Sequence, residues 1–281
     1  MTEDLADILK TEGKSRCPIV DGIFYPDDDK LLKEEVRFLL EEVDDAPGSA
    51  LGIVAPHAAF PFSGSLAAVA FNAAANRNIK NVVIIGPVHR EEKDVVFLSE
   101  SDSFLIPTGN IKINKTIVDR LLKADPCFVK NDVPHFEEHC IEVHLPFVRY
   151  LFPEADIVPM LVGSNNISLV EKTAKILRNI FSDKMDSTLF VASANMSTYL
   201  PEKEAKEYCR KLTALVEEAD IKKIYEEIER GNAKAKGIGC ISILLSLAGE
   251  KAKIRVLRKK DSSKYGCENS NIVCYAAISI E

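Results

Sequence analysis

At 281 residues and 31.1 kDa, with 46% hydrophobic and 28% charged positions, the chain has the make-up of a soluble globular protein with an ample core. Its 36 Lys and Arg against 43 Asp and Glu give a net charge of −7, which argues against a nucleic-acid binder, since these carry a basic excess or stripe. No apolar run approaches the roughly 20 residues of a membrane-spanning helix, and the acidic start Met1-Thr2-Glu3-Asp4 lacks the basic-then-apolar order of a secretory signal, so no membrane role and a cytoplasmic location are expected.

In chain order, the first 45 residues read as an extension ending in an acidic helix over 29–43. Short β-branched runs at 51–55, 81–85, 157–162 and 188–192 are apolar throughout, which is the mark of parallel strands covered on both faces. Between the first two runs, residues 63–75 form a strong helical pattern with Ser63 as the expected N-cap. The stretch 93–114 alternates and carries the turn signal Pro107-Thr108-Gly109, so it predicts short antiparallel strands or a hairpin. Residues 167–181 predict a crossover helix capped by Ser168, and Pro201 suits the first turn of a helix over 201–218. Helices over about 220–230 and 240–248 and late strands at 253–258 and 271–280 complete the pattern. No linker divides the sequence. The expected fold is α/β: a single domain, residues 1–281, with residues 1–45 packed on it and a central, mostly parallel sheet covered by helices on both faces.

The seven cysteines include no CxxC pair. They read as reduced, mostly buried small apolar residues rather than as a zinc ribbon or disulfide framework.

In open α/β sheets ligands bind beyond the carboxyl ends of the strands. Pro56-His57 follows the run 51–55, and Gly86-Pro87-Val88-His89 follows 81–85. Two histidines thus leave successive strands at matching positions, and imidazole is the commonest neutral ligand for transition metals. Each alone reads equally well as a satisfied core histidine. The other three histidines lie in His135-Phe-Glu-Glu-His139-Cys-Ile-Glu142-Val-His144-Leu-Pro146. The i,i+4 pair His135 and His139 lacks the glutamate that a zincin places after its first histidine. Glu138, His139, Glu142 and His144 are candidates for general acid/base work or for orienting a ligating imidazole, against the plainer reading of a polar helix-capping loop. No phosphate-binding glycine motif follows a strand, and Ser63 lies outside a nucleophile elbow; its helix end could also face an anion. The run Arg258-Lys259-Lys260 reads as a solvated strand end.

Together these residues resemble the Memo family, the Memo component of AmmeMemoRadiSam system proteins. The matching segments are Gly22-Ile-Phe-Tyr-Pro26, Pro56-His57-Ala-x-Phe-x-Phe-Ser63-Gly64, Gly86-Pro-x-His89, Glu138-His139-x-Ile-Glu142-Val-His144-Leu-Pro-Phe147, Pro159-x-Leu-Val-Gly163 and Tyr275-Ala-Ala277. The resemblance implies a fold similar to class III extradiol dioxygenases and a pocket where histidines and a cysteine hold non-haem iron or copper. By that resemblance His57 and His89 occupy two ligand positions; in an enzymatic reading His139 would act as the catalytic acid/base or as an oxygen-positioning group. The family's Ser-Ser-Asp-x-x-His is replaced by Ser193-Ala-Asn195-Met-Ser-Thr198, and Lys236 stands where its thiol is expected, with Cys240 four residues on. Arg90 replaces a frequent second histidine.

Neither Thr198 nor a protonated Lys236 is a normal ligand, so two of the usual donors are kept and two are lost. The expectation is weak or absent metal chemistry, iron or copper being the metals implied; His139 or Cys240 could compensate. The competing expectation is a non-catalytic binding protein that takes an anionic small molecule or peptide through Lys236 and Arg90. A third, a partner role beside radical-SAM proteins, rests on family association alone.

Overall fold

The computed structural model describes residues 13–90, 92–230, 235, 237–249, 251–265 and 271–281. The chain enters through β1 (Ser15–Arg16) and turns into α1 (Asp29–Glu41). Asp28 caps this helix by accepting from the backbone N–H groups of Lys30 and Leu31, which would otherwise lack partners. Leu32, Val36 and Leu39 recur at helical spacing and form its buried face.

Strand β2 (Gly52–Ala55), helix α2 (Phe60–Asn72) and strand β3 (Asn81–Pro87) follow. Helix α2 begins earlier than expected: Ala59 occupies the N-cap, and Pro61 in the first turn presets the helical backbone. Ser63 therefore lies inside the helix, where its hydroxyl donates to the Ala58 carbonyl.

Next come β4 (Val96–Leu98), β5 (Ser103–Ile106), β6 (Gly109–Lys112), α3 (Lys115–Ala124), β7 (Phe128–Lys130) and α4 (Val133–Glu137). The segment expected as antiparallel strands or a hairpin divides: β5 and β6 form the hairpin, whereas β4 joins the main sheet.

A 3-10 turn (Glu142–His144) leads into α5 (Leu145–Leu151), then β8 (Asp156–Val162), α6 (Ile167–Ile180) and β9 (Thr188–Ser193). Asn166, not Ser168, caps α6, its side chain accepting from the Ser168 backbone N–H. The chain ends with β10 (Leu200–Pro201), α7 (Glu202–Glu217), α8 (Ile221–Glu229), α9 (Ile238–Ala248), β11 (Ile254–Asp261), β12 (Asn271–Ile272) and β13 (Cys274–Ile280). The basic run at Arg258 thus belongs to the interior of β11, and the last expected strand breaks at Val273 because β12 turns aside to pair with β10.

Eight strands form one sheet in the order β11-β13-β2-β9-β3-β8-β4-β7. Strands β2, β9, β3 and β8 are mutually parallel, and β13 and β4 flank them antiparallel. Every residue of β2, β3, β9 and β13 is buried, as two-sided helical cover requires. The fold is the expected α/β sheet flanked by helices. Among the described residues no helix is long and apolar enough to cross a membrane.

Strand β9 sits between β2 and β3, so its carboxyl end lies between the loops that carry His57 and His89.

Candidate functional site

His57, two residues past β2, is 2% exposed. His89, two residues past β3, is partly open, with its side chain 25% exposed. Their ring centroids stand 5.4 Å apart. His139 joins them from the loop between α4 and the 3-10 turn, its centroid 5.7 Å from His57 and 5.6 Å from His89. The sheet brings together the two strand-end histidines, and the loop after α4 supplies the third.

Two close approaches make this possible. A Cβ on Gly86 would lie 2.5 Å from the Cys140 sulfur, so glycine lets the loop that carries Glu138 and His139 press against β3. Gly237 has a φ of +97°, and a Cβ there would lie 2.5 Å from the Ser193 carbonyl oxygen. That glycine lets the chain entering α9 lie against the end of β9.

Ser193, the last residue of β9, fixes the protonation of the cluster. Its Oγ donates to the Cys140 carbonyl at 2.8 Å. A hydroxyl has one proton, so the two imidazoles that touch it must donate: His57 through Nδ1 at 2.9 Å and His144 through Nε2 at 2.9 Å. The lone pair of His57 is therefore on Nε2, a buried atom without a hydrogen-bond partner among the described residues. Burial, followed by the charges of His139, His89 and His144, holds His57 well below the ordinary imidazole pKa. It is neutral.

His89 is oriented the same way. Its Nδ1 meets Glu138 Oε2 at 2.5 Å, and its backbone N–H donates to Oε1 at 2.6 Å. Burial alone would raise the Glu138 carboxyl, but these His89 hydrogen bonds hold it below the ordinary range. The carboxylate takes Nδ1–H, which turns Nε2 away from it. His139 is lowered by burial and then by His89, against the raising effects of Glu138 and Glu142.

The extension supplies one wall. Phe24 packs on His139 with centroids 4.8 Å apart, and Phe60 N–H donates to the Phe24 carbonyl. Glu142 faces the extension: fully buried, it pairs with Arg16 and accepts from the Tyr25 hydroxyl at 2.6 Å and from the backbone N–H groups of Ile19 and Val20. His144 is buried against Phe71, its Nδ1 unpartnered among the described residues. His135 lies apart, its Nε2 on the Phe97 carbonyl and its ring against Phe104.

Asn195 accepts from the His57 backbone N–H at 3.3 Å, and Thr198 lies half-buried three residues on. Arg90 projects to the surface and pairs with Glu137 at 3.3 Å, its side chain 73% exposed. Ser63 is turned into its own helix. Cys240 is buried in the first turn of α9, where burial pushes its thiol up and makes it a poor nucleophile or ligand. Lys236 lies outside the described residues. A cavity of about 350 Å³ between α1 and α5, lined by Leu32, Val36, Pro146 and Tyr150, includes none of the histidines.

For a transition metal the donor chemistry is half met. Two imidazoles have Nδ1 tied to a hydroxyl or a carboxylate, as ligating histidines do. Among the described residues, however, no group of three or more His, Cys, Asp or Glu side chains is arranged to hold a metal ion. The loop after β9 offers an amide and a hydroxyl at Asn195 and Thr198 instead of an acid and an imidazole. The described residues do not fit a resident metal.

Reading the sequence alone missed Ser193, Cys140 and Phe24. A signal for Ser193 was its place as a polar residue closing an apolar run.

The family model for Memo-like proteins matches residues 16–279. Among curated relatives, a MEMO1 family protein of Thermoplasma volcanium is 29% identical over 94% of this chain and 97% of its own length. One of Methanosarcina barkeri is 29% identical over 95% of this chain and 100% of its own, and one of Methanopyrus kandleri is 28% identical over 94% and 98%. Among solved structures, that of an uncharacterized Escherichia coli K12 protein superposes with a TM-score of 0.54 at 10% identity, covering 82% of this chain and 99% of that one. This last likeness concerns the fold.

Proposed function

The chain belongs to the Memo-like family, and on that premise we propose that its histidine cluster binds an uncharged small molecule bearing O–H or N–H donors, and holds a transition metal weakly at most. The observation that carries this is the buried Nε2 of His57, without a partner among the described residues, on a ring that stands edge-on to two further imidazoles. An unpaired buried acceptor costs about 1–3 kcal/mol, and a ligand donor removes that cost.

The same geometry disfavours an anion. Glu138 is ionised beside His89, and Arg90 is engaged with Glu137 at the surface. In this reading His139, part-exposed and neutral, takes a proton from a bound hydroxyl, while His57 and His89 accept hydrogen bonds. Asn195 holds the His57 backbone in place.

A second reading is favoured by the His89–Glu138 pair, since carboxylates commonly orient metal-bound imidazoles. It would make the cluster a metal-assisted oxidoreductase site held by His57 and His89.

One set of measurements separates the two. Elemental analysis of the purified chain is expected to give far less than one iron or copper per chain, unchanged in His57→Ala and His89→Ala. Titration with phenol is expected to move the histidine NMR signals, and titration with benzoate to leave them in place. Stoichiometric metal lost in both variants would overturn the proposal in favour of the second reading. Benzoate binding with phenol inert would overturn it in favour of an anion site.

A further inference from the structure

A second group of reactive side chains lies away from the histidines, where α7 crosses the edge of the sheet. Cys209, on the buried face of α7, and Cys274, the first residue of β13, are in side-chain hydrogen-bond contact. Both line a cavity of about 210 Å³ whose other walls include Lys206, Arg210, Lys259 and Lys260, with Asp261 as the acid. Lys206 is partly neutralised by Glu202 and Asp261, whereas Arg210 and Lys259 stand exposed at the rim. The rim lies between α7 and β11, the edge strand of the main sheet. Two touching thiols in a cationic cavity differ from ordinary buried cysteines, which are inert for want of a charge that favours thiolate.

We propose that Cys209 and Cys274 form a redox-active dithiol that a hydroperoxide closes to a disulfide. Cys209 is the attacking sulfur. The hydrogen bond from Cys274 pulls its thiol below the ordinary range against the opposing effect of burial, and the Lys259 ammonium adds to the pull. Its thiolate attacks one peroxide oxygen: an S–O bond forms, the O–O bond breaks, and the departing hydroxide takes up a proton as water. Cys274 then loses its proton and displaces the sulfenic hydroxyl, forming S–S and releasing a second water. Two thiols and one hydrogen peroxide thus give one disulfide and two waters. Forming the disulfide brings the sulfurs to about 2.05 Å, which draws α7 toward β13. Cys274 also holds the loop behind the histidines, since its carbonyl accepts from Met196 N–H and its N–H donates to Ser197 Oγ. The dithiol stands independently of the function proposed for the histidine cluster.

The test treats the native full chain with hydrogen peroxide, alkylates the remaining thiols and maps the peptides by mass spectrometry. The expected product is a Cys209–Cys274 cross-link, reversed by dithiothreitol. It should form about tenfold faster than Cys127 is oxidised, because burial and Asp125 push the Cys127 thiol up to about 12. In Cys274→Ser, Cys209 should accumulate as a sulfenic acid trapped by dimedone. Equal alkylation of Cys209 and Cys274 before and after peroxide, or a cross-link of either to another cysteine, would overturn the proposal. The wild-type cross-link decides it even if the serine variant folds poorly.

Discussion

Replacing Ser193 by alanine removes one oxygen and strands three buried groups. His57 Nδ1–H and His144 Nε2–H lose their acceptor, and the Cys140 carbonyl loses a donor. Neither imidazole escapes by changing tautomer: among the described residues His57 Nε2 and His144 Nδ1 are themselves buried without hydrogen-bond partners, so moving the proton only exchanges one orphan for another. Water offers no rescue, since the space vacated by a hydroxyl is smaller than a water molecule needs. Each unsatisfied buried group costs about 1–3 kcal/mol, so the two ring donors alone place the loss at about 2–6 kcal/mol. Relaxation favours the lower half, and about 3 kcal/mol is expected. Urea unfolding followed by circular dichroism measures it, with the slope against denaturant unchanged if only stability has altered. Ser193→Cys, which keeps a weak acceptor, should lose roughly half as much. A Ser193→Ala variant within about 1 kcal/mol of wild type would refute the reasoning, because it would mean that the imidazoles do not depend on the hydroxyl.

Glu142→Gln leaves the fully buried Arg16 charge without its counter-ion and weakens the hold on Ile19, Val20 and Tyr25. A loss of about 3–5 kcal/mol is expected, with faster proteolysis in the first 45 residues as the local readout. Gly86→Ala forces a Cβ to within 2.5 Å of the Cys140 sulfur; about 1–3 kcal/mol of overpacking is expected, together with displaced His139 NMR signals. Burial lowers His135 to about 4 and His144 to about 3. The unfolded chain takes up protons at these sites first, so stability is full above the unfolded value near 6.5 and falls as pH drops from there toward 4. Each site contributes at most about 1.4 kcal/mol per pH unit, and urea midpoints at pH 7, 6 and 5 should decline in that order.

The parallel strands were legible because apolar runs such as 81–85 have few alternatives to a two-sided burial. That His57 and His89 follow such runs was also plain from the sequence. Strand order was not, because local periodicity says nothing about which strand inserts between which. Only once β9 is placed between β2 and β3 does Ser193 become the atom that sets both His57 and His144. Helix starts slipped for a local reason. Ser63 and Ser168 looked like caps, but Pro61 and Asn166 began their helices earlier. The contact of Cys209 with Cys274 joins a helix and a strand 65 positions apart in sequence, and no spacing rule anticipates it. Glu142 and Glu138 stand four residues apart in one loop, yet one pins the extension and the other orients His89; the direction each side chain takes decides its role.

The most direct test is long-range ¹H–¹⁵N correlation of the histidine rings in ¹⁵N-labelled protein at neutral pH, before and after treatment with a chelator. A neutral His57 with its proton on Nδ1 and a bare Nε2, unchanged by the chelator, is the result predicted. A proton on Nε2, a charged ring, or nitrogen signals that shift when metal is stripped away would contradict it.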